Sequence, residues 1–406
     1  MLDFSSPAIY VPAIFISLIL FLAVFIAKES KKTNGVLVRE LPYYDEINLS
    51  MDYIGRNVLE NGRFVYRKNV DPEIKYDNKI YNSLRHAGIL YSMYLYEKCG
   101  YGRKYKAQRY LASEYFIKRY IKRLDKTRYI VVSSPKEEQI KMSIAKTGSA
   151  GIALAALSNL YADRKITADI LKGLGEFLIS MQSKEGDFYA FYDLEAKSIN
   201  KEAEAVYYTA EAAFGLLYLY EVDPCTKWLH GAVKGLLYLA KSRKTLQVDI
   251  PFDYWSILAI EKLFKMTSIE GEQKKLLMEY VEQMIISMLG KQITNENNSY
   301  FGAFEENIRP GSIGTIMEGL ASGYFCTDSE ELRELIYKSL SIGCLFLNRV
   351  QVKTGLQAGG LPNSANWVRP ESSPNASVIR MDNVEHVVTG WLKFQEIIAL
   401  RQNPQE

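Results

Sequence analysis

The last apolar stretch of the chain opens with Arg380-Met381-Asp382-Asn383-Val384-Glu385-His386 and runs on into Val387-Val388-Thr389-Gly390-Trp391. On a helix, Asp382 lies four residues from His386 and three from Glu385, so the three share one face. An arginine with carboxylates and an imidazole can hold an anion or move a proton.

Five other apolar stretches open in the same way. Asn82, Arg85 and His86 precede Ala87-Gly88, and Lys146 and Thr147 precede Gly148. Glu204, Tyr207, Tyr208 and Glu211 open a third stretch, and Asp253, Tyr254 and Trp255 a fourth. Arg309 stands before a fifth, which carries Glu318 further along. Alone, any of these is most simply a helix cap or a satisfied core group, as Asp253 and Asp382 would be. Six at corresponding positions describe a shared site. Asp382, Glu211, Glu318 and His86 are its acid–base candidates. Arg85, Lys146, Tyr207, Tyr208, Asp253, Trp255, Arg380 and His386 are its substrate-binding candidates.

The elements that must position them are helices. Periodicity predicts twelve: 43–58, 82–99, 104–122, 145–161, 166–183, 203–221, 226–242, 252–265, 272–290, 311–324, 329–350 and 381–401. They alternate between amphipathic, charged segments and segments apolar nearly all round. An amphipathic helix has a wet side and an all-apolar one is buried. Six buried helices inside six half-exposed ones make an (α/α)6 toroid. Long connectors (62–81, 126–144, 184–202, 243–251, 291–310, 351–380) lead into the buried helices, and short ones lead out. All the long loops then share one rim, where sites are built. Gly62–Tyr66 and Tyr129–Val132 read as strand-like pieces of those loops. Closure of the ring would set Asp382 and His386 near Arg85 and His86, and an Arg–Asp pair there would equally be a latch.

Residues 8–27 carry no charge and are long enough to span a bilayer, so the all-α toroid is expected to follow one transmembrane helix. The expected division is a tail at 1–7, the anchor at 8–27, a linker at 28–42, the toroid at 43–401 and a tail at 402–406. Lys28, Lys31 and Lys32 follow the anchor, and the positive-inside rule then favours a cytoplasmic globular part. A net charge of +3 gives no global field for nucleic acid. The cysteines Cys99, Cys225, Cys326 and Cys344 are scattered, without metal-ligand spacing, and no cofactor motif appears. The run from Arg103 to Arg128 is basic and reads as a solvated outer helix.

Phe177-Leu178-Ile179-Ser180-Met181-Gln182 leads to Gly186-Asp187-Phe188, and Phe346-Leu347-Asn348-Arg349-Val350-Gln351 leads to Gly355. Both read as a helix stop with a left-handed glycine. With Tyr81-Asn82-Ser83-Leu84-Arg85-His86-Ala87-Gly88 opening a buried helix, the chain over 43–401 resembles the six-hairpin glycosidase-type superfamily. The resemblance implies action on carbohydrate polymers by hydrolysis, elimination or epimerisation. Six helix amino ends with Arg85, Lys146 and Arg380 would favour an acidic polysaccharide. With the anchor, the expectation is a membrane enzyme of surface or exopolysaccharide metabolism. Its alternative is a non-catalytic binding or scaffolding subunit of a membrane polysaccharide-synthesis complex.

Overall fold

The computed structural model describes residues 32–33, 36–244, 250–305, 308–367 and 375–403. The apolar segment 8–27 lies outside the described residues. Among the described residues no helix is long and apolar enough to cross a membrane.

Among the described residues, twelve long helices alternate as outer and inner. The outer ones are α1 (Tyr44–Arg56), α3 (Lys106–Tyr120), α5 (Ala168–Ser180), α7 (Thr226–Lys244), α9 (Gly271–Leu289) and α11 (Glu330–Val350). The inner ones are α2 (Ser83–Lys98), α4 (Thr147–Leu157), α6 (Tyr208–Val222), α8 (Tyr254–Met266), α10 (Pro310–Tyr324) and α12 (Met381–Gln402). The two kinds follow from sequence. Every residue of α4 is buried, whereas α11 buries only one stripe, from Leu332 through Ile336 and Leu340 to Leu347. Each inner helix packs on the next, and α12 returns to α2, so the ring is closed. Apart from the short α7–α8 link, the connectors into inner helices are long and lie together at the amino ends of the inner ring, as expected.

The closing seam is part helix and part sheet. Strand Arg67–Asn69 pairs antiparallel with Val378–Arg380, immediately before α12. A five-stranded antiparallel sheet (Ile121–Arg123, Tyr129–Ser133, Ile144–Lys146, Phe191–Asp193, Ser198–Asn200) covers part of the rim. Of the two strand-like pieces expected, Tyr129–Val132 lies in this sheet. Gly62–Tyr66 forms only a bridge from Phe64 to Val58, and the strand begins at Arg67. Strands this short show too little alternation to be found by period.

The outer ring is stapled by the repeated glutamine. Gln182 Nε2 donates to Gly186 O and to Gly231 O of α7, both at 2.9 Å. A third copy, Gln292, donates to Gly302 O at 3.2 Å and to Ser339 O of α11 at 3.0 Å. Gln351 reaches Glu46 O of α1 at 2.8 Å. Gly186 and Gly302 hold φ of +124° and +92°, and a Cβ there would lie 2.6 and 2.2 Å from carbonyl oxygens of the next outer helix, Lys234 O and Ile342 O. The left-handed glycine is thus both a turn and a helix contact.

The basic run is largely paired. Arg109 is buried against Glu97 at 3.0 Å and Asn159 at 2.7 Å, and Arg119 meets Glu137 at 2.7 Å.

Candidate active site

The centre of the inner rim is His386, on the second turn of α12. Its Nδ1 donates to Glu318 Oε1 of α10 over 2.8 Å, and its Nε2 lies 3.4 Å from Glu385 Oε1. Close backbone approach makes this possible. A Cβ on Gly314 would stand 2.7 Å from the carbonyl carbon of His386, so only glycine lets α12 come this near α10. Glu318, four residues beyond Gly314, then lies beside the ring.

Both carboxylates are almost fully buried, while His386 keeps a 19% exposed side chain. Burial pushes Glu385 up to about 8, and Glu318 and Asp382 add to the rise. Burial also raises Glu318, against the pull of His386. His386 rises to about 9: burial opposes this, but the carboxylates of Glu385 and Glu318 outweigh it. The cluster therefore shares protons, with the imidazolium as donor at neutral pH.

Tyr254 heads α8 and meets His386 edge-on, with ring centroids 5.9 Å apart. Its hydroxyl is raised well above the usual phenol value by burial, then by the negative charges of Glu318, Glu211 and Glu385. Glu211, on the first turn of α6, is pushed up to about 8 by burial and by Asp253, with Lys146 opposing. Its Oε2 is buried with no hydrogen-bond partner among the described residues and lies against Gly148 of α4, where a Cβ would be 1.9 Å away. Glu211 is thus a carboxylic acid held neutral at pH 7.

Other predicted residues have structural duties. His86 faces outward between α2 and α3. Its Nε2–H donates to Ala112 O at 2.9 Å, so its Nδ1 accepts from Tyr81 Oη at 2.7 Å. Burial lowers it to about 3, and Phe64, Tyr115 and Phe116 surround the ring. This neutral, fully satisfied histidine is removed from the acid–base set. Trp255 is buried against Phe214 and Tyr254, so it offers no open face to a sugar. Asp253 caps α8 through Ser256 N at 3.2 Å and pairs with Arg243 at 2.6 Å; burial raises it to about 6 even so. Helix α6 starts at Tyr208 rather than at 203, which leaves Tyr207 41% exposed at the rim and near Tyr254, with ring centroids 6.3 Å apart. Tyr208 lies edge-on to Phe191 at 5.7 Å.

Asp382 is clamped by arginines. Arg380 Nε donates to it at 3.0 Å, and Arg85 Nε stands 3.3 Å away. Those charges hold its carboxyl below the usual range in spite of burial. The expected nearness of Asp382 to Arg85 is present, but His86 and His386 belong to different neighbourhoods. Lys146 is bound by Glu138, whose Oε1 also accepts from Ser83 N at 3.2 Å and Ser83 Oγ at 3.1 Å. Sequence reasoning missed Glu138 because it sits on a lone helical turn in a loop. It also missed the weight of Glu385, whose spacing on the helix was visible. Arg85, Arg380 and Lys146 are thus each engaged by a carboxylate at the inner rim.

Neither a family model nor a curated protein matches the chain. Solved structures do. A D-mannose isomerase aligns with TM-score 0.62 at 11% identity, over 87% of this chain and 96% of the other. Cellobiose 2-epimerase from Bacillus thermoamylovorans gives 0.60 at 11% identity, over 87% and 98%. An inactive variant of an α-1,6-mannanase of a Salegentibacter species, in complex with α-1,6-mannotriose, gives 0.57 at 14% identity, over 87% and 99%. By fold, the chain is an (α/α)6 toroid.

Proposed function

We propose that the protein is a glycan-acting enzyme that transfers protons on a neutral sugar, in the manner of an isomerase or epimerase. One observation carries this: His386 is wedged between the buried carboxylates of Glu318 and Glu385. A glycosidase keeps a gap between its two carboxyl groups for the scissile bond or a water. Here the imidazole fills that gap and makes the trio a proton relay, with His386 giving a proton to a sugar oxygen and Glu318, the carboxylate bonded to its Nδ1, accepting one. The occupied cations of the rim support a neutral substrate over an acidic one. Solved structures of like fold include proteins named as a mannose isomerase and a cellobiose epimerase. The uncharged segment 8–27 supports a tether to a membrane.

Hydrolysis is the second reading, favoured by the neutral acid Glu211, which has the character of a general acid. Incubating the full chain with neutral mono- and disaccharides in deuterated water separates them. The expected outcome by NMR is deuterium uptake at the carbon beside the anomeric centre without cleavage. New reducing ends without exchange would establish hydrolysis. Binding with neither reaction would leave the scaffold role.

A further inference from the structure

The lumen of the toroid has two ends, separated by an aromatic plug. Phe214 meets Tyr91 edge-on at 5.6 Å and Tyr218 edge-on at 5.0 Å, and lies tilted against Trp255 at 5.5 Å. Above the plug is the acid cluster. Below it, at the carboxyl ends of the inner helices, is a cavity of about 430 Å³. Its floor is Tyr91, Phe214 and Tyr218, and its walls come from α2, α6, α8 and α12. That size suits a small molecule.

Carboxyl ends of helices carry partial negative charge, and lysines there are expected as compensation. Two of them behave so: Lys265 and Lys393 hold the buried Glu261 at 2.8 and 2.6 Å. Lys262 differs. Its side chain is 10% exposed, its Nζ lies 3.7 Å from the centre of the Tyr218 ring, and it pairs with the half-exposed Glu221 at 2.7 Å. We propose that this cavity is a second ligand site, in which the Lys262 amine condenses with a small aldehyde or ketone to form an imine.

The chemistry closes on residues present. Burial pulls the amine down to about 8, with Glu221 opposing and Lys98 adding to the fall, so a useful fraction is neutral near physiological pH. Neutral Nζ attacks the carbonyl carbon, and the carbonyl oxygen takes a proton to give the carbinolamine. Loss of water then leaves the C=N bond. Glu221 is placed to receive the proton leaving nitrogen and to return it to the departing hydroxyl. Tyr218 and Phe214 offer an apolar surface to the carbon chain. Lys262 is eight residues from Tyr254 on α8, about 12 Å along the axis at 1.5 Å per residue, so this site is separate from the acid cluster.

The test is reductive trapping of the full chain with glyceraldehyde and cyanoborohydride at pH 7.5, read by peptide mass spectrometry. Lys262 should be labelled at least about tenfold faster than the exposed Lys118, since the neutral amine is the reacting form. Lys262→Arg should lose that label with an unchanged circular-dichroism spectrum. Met266→Trp, at the cavity wall, should protect Lys262 while leaving Lys118 labelling as it was. Labelling of Lys262 at or below the rate of Lys118 would overturn the proposal, as would Met266→Trp leaving Lys262 equally reactive in a folded protein. Neither result depends on the activity proposed for the acid cluster.

Discussion

His386 Nδ1 and Glu318 Oε1 lie 2.8 Å apart across the boundary between α12 and α10, joining residues 68 positions apart in sequence. This bond orients the imidazole, and with Glu385 on the other nitrogen it fixes which groups can exchange protons. Replacing His386 by Gln keeps the polar shape and removes the titration. Turnover of the sugar substrate should fall by roughly 10²–10⁴-fold, the range for a lost acid–base group. Glu318→Gln should fall less, because the amide oxygen still accepts from Nδ1, and its pH profile should shift as His386 loses a charge that raises it. Steady-state rates against pH check both, with equal profiles in the two proteins counting against the relay.

Stability should fall with rising pH on the alkaline side. His386 is held at about 9 against an ordinary 6.5, and Glu211 at about 8 against 4.5. Each group binds its proton more tightly in the folded state than in the unfolded one. Its contribution is therefore complete below the unfolded value and is lost as pH climbs to the folded one. The windows are pH 6.5 to 9 for His386 and 4.5 to 8 for Glu211. Glu211→Gln cannot titrate, so its melting temperature should decline less between pH 6 and pH 9 and end about 3 °C above the parent's. Thermal melts across that range decide it; parallel curves would mean that Glu211 is ionised in the folded protein.

Asp382 closes the ring by holding Arg85 of α2 beside Arg380. Asp382→Ala leaves two guanidinium groups without their partner and should cost about 3–5 kcal/mol in urea unfolding. Asp382→Asn should cost less and, assayed where it is folded, keep turnover within about tenfold of the parent. A loss as large as that of His386→Gln would place Asp382 in the chemistry instead.

Gly302→Ala should destabilise by about 2 kcal/mol or more, since φ is +92° and the new methyl would meet Ile342 O at 2.2 Å. Gly355→Ala has the same strain, at φ +78°, but open space around it, so its cost should be the smaller of the two in matched urea titrations.

Much of the fold is legible in the residues themselves. The alternation of all-apolar and amphipathic segments, the long loops before inner helices and the rim placement of Glu211, Glu318 and His386 all depend on neighbours within a turn or two. The Gln182–Gly186 turn is local in the same sense, and its third copy at Gln292–Gly302 escaped only because the loop between is longer. Strands of three residues, by contrast, carry no period to read.

What only the tertiary structure decided is which way each polar group faces and whom it meets. His86 and His386 open their helices in similar company. One turns outward to Ala112 O and becomes a neutral packing group, and the other turns inward between two carboxylates. Arg85, Lys146 and Arg380 looked like a basic rim until Glu138 and Asp382 were placed against them. Helical period fixes a side chain's face relative to its own helix. The rotation of that helix in the ring, and hence the partner that sets charge and pKa, comes from packing contacts such as Gly314 against His386, between residues far apart in the chain.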